Sequence, residues 1–272
     1  MNNYKLAIII VTHDSEFVLR KNIESIIASH IDYEQLIIVD SGSDDKAYLN
    51  KYKSLEKTFI IYEDNVGFAK GNNIGFSHVK KDIEVVLFLN PDIIFEKNII
   101  PKMVSLIRGN IVAVSPILKR YIIVINDRIK FTNDIDSSGI YSTWYGKYYD
   151  SNIERKGISY PEALCGAFIL CNKEKMNKII KNGEVFNESM FMYKEDVELG
   201  LRIKNAGYQL VIDGDSVVYH GRGWKSRDKV SKWQKKISAR NDWYLLPYIK
   251  GIRKLWVIAY YSLKSCYVKY IE

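Results

Sequence analysis

A chain of 272 residues that is 47% hydrophobic and 26% charged can bury a sizeable core, and it holds too much Val, Ile, Leu and aromatic residue to be disordered. No run reaches the roughly 18 apolar residues of a membrane-spanning helix, and the start MNNYKLAIIIVTHD lacks a basic segment and a small-residue cleavage site. Three cysteines without CxxC spacing support neither a disulfide framework nor a four-cysteine zinc site, so the expectation is a soluble, cytoplasmic chain with one main domain.

In chain order, short β-branched runs alternate with helical periodicity. LAIIIVTH (6–13) predicts a first strand, and Phe17, Leu19, Ile23, Ile26 and Ile27 give one apolar face of a following helix. LIIVDSGS (36–43), FIIYEDN (59–65) and VVLFLNPD (85–92) predict three more strands, with helices over 66–79 and 97–108. VAVSPIL (112–118) is a fifth, and 126–160, with its Asp, Ser, Gly and Tyr clusters, reads as loops or a small excursion rather than core. FILCN (168–172) and QLVIDGDSVVYH (209–220) predict further strands around a helix whose Leu199, Ile203 and Ala206 face inward and whose Gly207 closes it. From about Asp228 the helical spacing resumes, broken near Pro247 and Gly251. Unalternated apolar strands imply burial on both faces. The predicted fold is therefore α/β, a mainly parallel sheet flanked by helices over 1–227, with a helical extension over 228–272.

In an open α/β sheet, ligands bind beyond the carboxyl ends of the strands. The first four strands end in Thr12-His13-Asp14, in Asp40 to Asp45, in Glu63-Asp64-Asn65 and in Asn90-Pro91-Asp92, so each delivers polar groups to one edge. A single acidic strand end also caps ordinary turns; four in succession point to a site. The first turn, VTHDSEF, has no glycine, which excludes the usual dinucleotide loop, and no GxxxxGK[ST] is present. Carboxylates repel phosphate unless a divalent cation intervenes, and hard oxygen ligands such as Asp92 suit Mg²⁺ or Mn²⁺ shared with a diphosphate. Gly67, Gly71 and Gly75 recur at helical spacing in NVGFAKGNNIGF, where propensity disfavours them, so close approach of the backbone to a ligand or to the sheet is expected.

These strand ends, together with CGAFILCNKE, MYKEDVELGLRIKNAGY and VVYHGRG, resemble the family 2 glycosyltransferases of the GT-A (Rossmann-like) fold, nearest to the rhamnosyltransferase-like branch that builds bacterial surface polysaccharides. The likeness runs over roughly residues 5–245. It implies an inverting transfer from a nucleotide-diphosphate sugar to a hydroxyl of a saccharide or lipid-linked saccharide. Asn90-Pro91-Asp92 stands where the family carries its DXD motif, Asp196 matches the general base with Glu195 beside it, and His220 matches a residue brought to the metal or diphosphate. Asp40 and Thr12 match base contacts, Asn65 and Asn72 polar contacts to the sugar nucleotide, and Gly166 a small-residue loop under the sugar. This chain departs from the usual pattern at His13-Asp14 and in keeping one carboxylate in the metal motif. A carboxylate at a helix N-terminus also complements the helix dipole, and it stays ionised there, as a base must.

Two other readings compete: a sugar-nucleotide nucleotidyltransferase, whose glycine-rich phosphate loop is missing here, and a non-catalytic basic binder of membrane or nucleic acid, motivated by the tail alone. Residues 222–272 carry 13 Lys and Arg against 3 acids, and hold Trp224, Trp233, Trp243 and Trp256. LWVIAYYSL (255–263) is too short to span a bilayer but suited to lie on one, at the inner face of the cell membrane. The alternative is that these aromatics pack on the domain or on a second copy in a homodimer; nucleic acid is not an expected partner.

Overall fold

The computed structural model describes residues 4–96, 99–124, 127–221 and 231–270; Arg222, Trp224 and the expected boundary at 227/228 lie outside the described residues. β1 (Leu6–Thr12), β2 (Gln35–Ser41), β3 (Thr58–Glu63) and β4 (Val85–Leu89) run parallel in the order β3-β2-β1-β4. Every residue of β2 and β4 is buried, as unalternated apolar sequence requires when both faces are covered. α1 (Glu16–Ala28) and α3 (Ile99–Leu106) cover one face through Leu19, Ile23, Ile26, Ile100 and Met103. α2 (Gly67–Ser77), α4 (Lys173–Asn177) and α5 (Glu195–Asn205) cover the other through Ala69, Met176, Leu199 and Ile203. Ile27 and Ala206 were expected inside and are exposed, because each lies just off the stripe that meets the sheet.

β11 (Phe168–Asn172) is antiparallel to β4 and to β6 (Ile111–Val124), and β12 (Gln209–His220) lies parallel to β6. β5 (Ile93–Ile94) pairs with the end of β12. Of the expected excursion 126–160, the described part, 127–160, is more ordered than its composition suggests. β7 (Arg128–Ser137) folds back on β6, β8 (Ile140–Ser142) and β9 (Tyr148–Asp150) make a hairpin, and β10 (Ile158–Ser159) adds to β12. Half-exposed β7 carries charged residues on its open face, which hid its strand character; its last residues, Asp136 and Ser137, turn inward and are buried.

The glycines of α2 explain themselves sterically. A Cβ on Gly71 would sit 2.8 Å from Val11 Cγ1, and one on Gly75 2.4 Å from Ile9 Cγ2, so α2 rests directly on β1. Gly75→Ala is expected to cost about 1–3 kcal/mol by overpacking, read as a lower denaturation midpoint; an unchanged midpoint would show that the helix can lift off freely.

α6 (Lys232–Leu245) starts with a capping box between Ser231 and Gln234, and α7 (Arg253–Tyr270) packs back on it through Val257 and Tyr261. Among the described residues no helix is long and apolar enough to cross a membrane.

Candidate functional site

Topology brings the chemistry to one edge. The parallel strands deliver their carboxyl ends there, β12 delivers His220, and reversed β11 brings Cys165-Gly166-Ala167 to the same edge with its amino end. The Asn90–Ile93 turn is pinned from three sides. Asn22, fully buried on α1, donates from Nδ2 to Ile93 O at 2.7 Å; Asn90 N donates to Ala167 O at 2.9 Å, and Gly221 N to Asp92 O at 2.9 Å.

Two chambers open at this edge. The first, about 480 Å³, is lined by Thr12, Ser41, Asn65, Gly67, Asn90 and Asp92 among others, and the second, about 430 Å³, by Asn90, Asp92, Gly166, Glu195, Asp196 and His220 among others. Both are of a size that takes small organic ligands. Phe68, Asn90, Asp92 and Met192 belong to both walls, so Asp92 stands at the junction.

Asp92 and His220 face each other, with His220 Nε2 3.4 Å from Asp92 Oδ1. The other ring nitrogen, Nδ1, lies 2.9 Å from Asp136 Oδ2, and Asp136 Oδ1 receives Arg120 Nε at 3.2 Å. Burial disfavours charge on the imidazole, yet the Asp92 and Asp136 carboxylates outweigh it and raise its pKa to about 9. Asp92 Oδ1 is buried without a hydrogen bond of its own. An oxygen and a nitrogen converging at this distance fit a shared divalent cation, since two donors about 2.1 Å from one ion are roughly 3 Å apart at a right angle. A carboxylate on the far ring nitrogen is the usual orienting partner of a metal-binding His. Among the described residues no three His, Cys, Asp or Glu side chains gather round one point, so a cation here would need oxygens from its ligand or from water.

Glu195 and Asp196 open α5 on the opposite wall, following a left-handed Lys194. Asp196 Oδ2 accepts from Gly166 N at 3.0 Å and Oδ1 from Val197 N at 2.8 Å. Glu195 is buried, and desolvation, followed by the charge of neighbouring Asp196, pushes its pKa well above the ordinary carboxylate range. Its Oε2 has no partner. The two adjacent acids thus differ in setting: Glu195 is buried with an unpartnered oxygen, whereas both oxygens of Asp196 accept from backbone N–H groups.

Of the residues singled out in the sequence, Thr12, Asn65, Gly67 and Asn90 line the first chamber, and Gly166, Glu195, Asp196 and His220 the second. Asp40 and Asn72 line neither. Asp40 is fully buried and accepts from Ser43 Oγ at 2.5 Å, a turn-capping role, while Asn72 Nδ2 donates to Phe68 O at 3.0 Å within its own helix. Gly67 needs its positive φ of 77°, and its missing side chain leaves room for the Phe191 ring, 2.5 Å from where a Cβ would be. Sequence reasoning missed Asp136, hidden in the polar excursion, and the share of the tail in the site. Trp233 and Gln234 of α6 line the first chamber, with the Trp233 ring edge-on to Phe191 at 6.0 Å. The capping signal S-K-W-Q marked a helix start there but not its position.

Residues 7–180 match the model of the glycosyl transferase family 2. The chain is 28% identical over 222 residues to the rhamnosyltransferase WbbL of Escherichia coli (strain K12), covering 75% of this chain and 78% of that one. Among solved structures it resembles GalNAc-T7 with UDP, GalNAc and Mn²⁺, with TM-score 0.66 and 17% identity over 87% of this chain; it spans only 47% of that chain. It also resembles the mannosyltransferase PcManGT from Pyrobaculum calidifontis in complex with GDP-Man and Mn²⁺, with TM-score 0.60 and 13% identity over 96% of this chain and 70% of that one.

Proposed function

Because this chain belongs to glycosyl transferase family 2 and has the GT-A fold, we propose that it inverts the anomeric centre while moving a sugar, rhamnosyl or hexosyl, from a nucleotide-diphosphate donor to a hydroxyl of a saccharide or lipid-linked saccharide in surface polysaccharide synthesis. The observation that carries this reading is the placement of Asp92, His220, Glu195 and Asp196 round one chamber that joins a second. Inversion by one in-line displacement needs a base on the acceptor hydroxyl and positive charge on the departing diphosphate. Asp196 is the base: its oxygens are held by Gly166 N and Val197 N, whereas burial and the Asp196 charge both disfavour the ionised form of its neighbour Glu195. Asp92 and His220 would hold Mg²⁺ or Mn²⁺, which supplies the positive charge for the leaving group. The first chamber, between Thr12 and Asn65 at the carboxyl ends of β1 and β3, takes the nucleotide, which leaves the second for the acceptor.

Incubation with a panel of nucleotide sugars and Mn²⁺ tests the reading. Sugar-dependent release of nucleoside diphosphate supports it, and pyrophosphate exchange would instead make the protein a nucleotidyltransferase. A nucleotide sugar that binds only the native state also raises its melting temperature.

A second element of the proposal concerns α7. Ile252, Leu255, Trp256, Leu263 and Tyr267 are all exposed along one side of the helix, and Trp144 of the β8–β9 turn packs edge-on to Trp256 at 5.4 Å. Lys250 and Lys269 lie near the two ends of the helix in the sequence. This face would adsorb to an anionic bilayer that carries the acceptor, each basic residue near the surface contributing about 1 kcal/mol. Liposome co-sedimentation is expected to rise with anionic lipid, fall with salt and fall again in Leu255→Glu. A protein that stays in the supernatant at low salt but elutes as a dimer would assign the face to a second copy of the chain.

A further inference from the structure

Between the short 3₁₀ turn Glu188–Met190 and α5, the backbone takes an uncommon path. Phe191 has φ 60° and ψ −63°, with Met192 N donating to Met190 O at 2.7 Å, the strained form of the three-residue turn. Tyr193 and Lys194 follow, each at φ 70°, and none of the three is glycine. Such a conformation persists only where surrounding contacts over-determine it. This loop also forms the wall of both chambers. Phe191 and Met192 line the first, and Met192, Tyr193 and Lys194 the second, directly before Glu195 and Asp196.

The contacts that hold it come from α6. Asn241 of α6 is fully buried, and its Nδ2 donates to Met190 O at 2.8 Å, Met192 O at 2.9 Å and Tyr193 O at 2.8 Å. Two hydrogens thus serve three carbonyls of one loop. Adjacent Arg240 reaches Ser189 O at 2.9 Å, Gln234 Nε2 reaches Tyr193 Oη at 2.7 Å, and Lys194 Nζ pairs with buried Asp242. Asp242 also takes Lys264 of α7 at 2.5 Å. No other side chain of this size fits at 241. Asp has the same shape but would face three carbonyls with acceptors, and Leu has no donors.

We propose that Asn241 is a positioning residue: it clamps the strained loop 191–194 and so fixes where Glu195 and Asp196 stand in the chamber. α6 then shapes the catalytic chamber. The effect on transfer rests on the function proposed above; the clamping of the loop does not.

Asn241→Asp in the full chain tests both. Amide hydrogen exchange of residues 191–197 is expected to rise roughly tenfold or more while β1 and β4 stay protected, since local opening there is uncoupled from global unfolding. Turnover is expected to fall about 100-fold, the penalty of a misplaced catalytic group, while binding of UDP, GDP or dTDP, whichever the parent binds, is retained. Asn241→Ala, which removes the donors without adding a carboxylate, replaces it if the Asp variant does not fold. Parent-like exchange over 191–197 in a folded variant overturns the clamp. Loosened exchange with parent-like turnover overturns the positioning role. A parent without nucleoside diphosphate release from any nucleotide sugar overturns the transferase reading instead, and the exchange result still decides the clamp.

Discussion

Replacing Asp196 by Asn is expected to leave the fold and nucleotide binding intact and to lower turnover by on the order of 10² to 10⁴, the range general-base removal costs. The substitution is close to isosteric, and the Asn oxygen can still accept from Gly166 N or Val197 N, which hold the carboxylate in place. What it removes is the carboxylate that, on the proposed mechanism, takes the acceptor proton. The experiment compares kcat, the donor KM and the melting temperature of the two proteins. Parent-like kcat would move the base elsewhere, and Glu195 would then have to act against burial and the Asp196 charge, which both raise its pKa. Glu195→Gln is the informative partner variant, because a group that works protonated tolerates an amide better than a group that works as a base.

Asp92→Ala and His220→Ala are each expected to weaken divalent-cation binding by on the order of 100-fold or more, since even residues that only orient ligands cost roughly 10- to 100-fold. Mn²⁺ binding followed by its paramagnetic resonance, with and without nucleoside diphosphate, checks this independently of turnover. With so few side chains gathered at this point among the described residues, affinity should depend strongly on the diphosphate. Equal donor affinity of the parent with and without EDTA would remove the metal role from Asp92. The fold should survive both changes: the turn that carries Asp92 is held by backbone bonds and by Asn22, and β12 stays paired along β6.

Much of this arrangement was legible in the chain. Apolar runs such as LIIVDS and VVLFL are buried on both faces, so their lack of alternation sufficed to predict a covered parallel sheet, and the strand-end rule then placed Thr12, Asn65 and Asp92 at one edge. Two kinds of information were out of reach. Asp136 sits in a strand whose neighbours are charged and half exposed, and its partner His220 is 84 residues away, a pairing no local pattern encodes. Asp40 and Asn72 failed to reach the chambers because short polar side chains find nearby partners, Ser43 and Phe68 O, before they find a ligand. The basic, Trp-rich tail pointed outward by composition, and in α7 much of its apolar surface does lie outside; composition could not tell that α6 would bring Trp233 to the rim of the first chamber and bury Asn241.

The two chambers have Phe68, Asn90, Asp92 and Met192 in common. Ligands seated on either side of such a partition are expected to be coupled, for each one desolvates and stiffens side chains that line both chambers. Whatever factor the first ligand imposes on the affinity of the second, the second must return to the first. The occupancy of one chamber is thus a thermodynamic reporter of the other, and a titration of either ligand in the presence of its companion measures the same coupling from both directions.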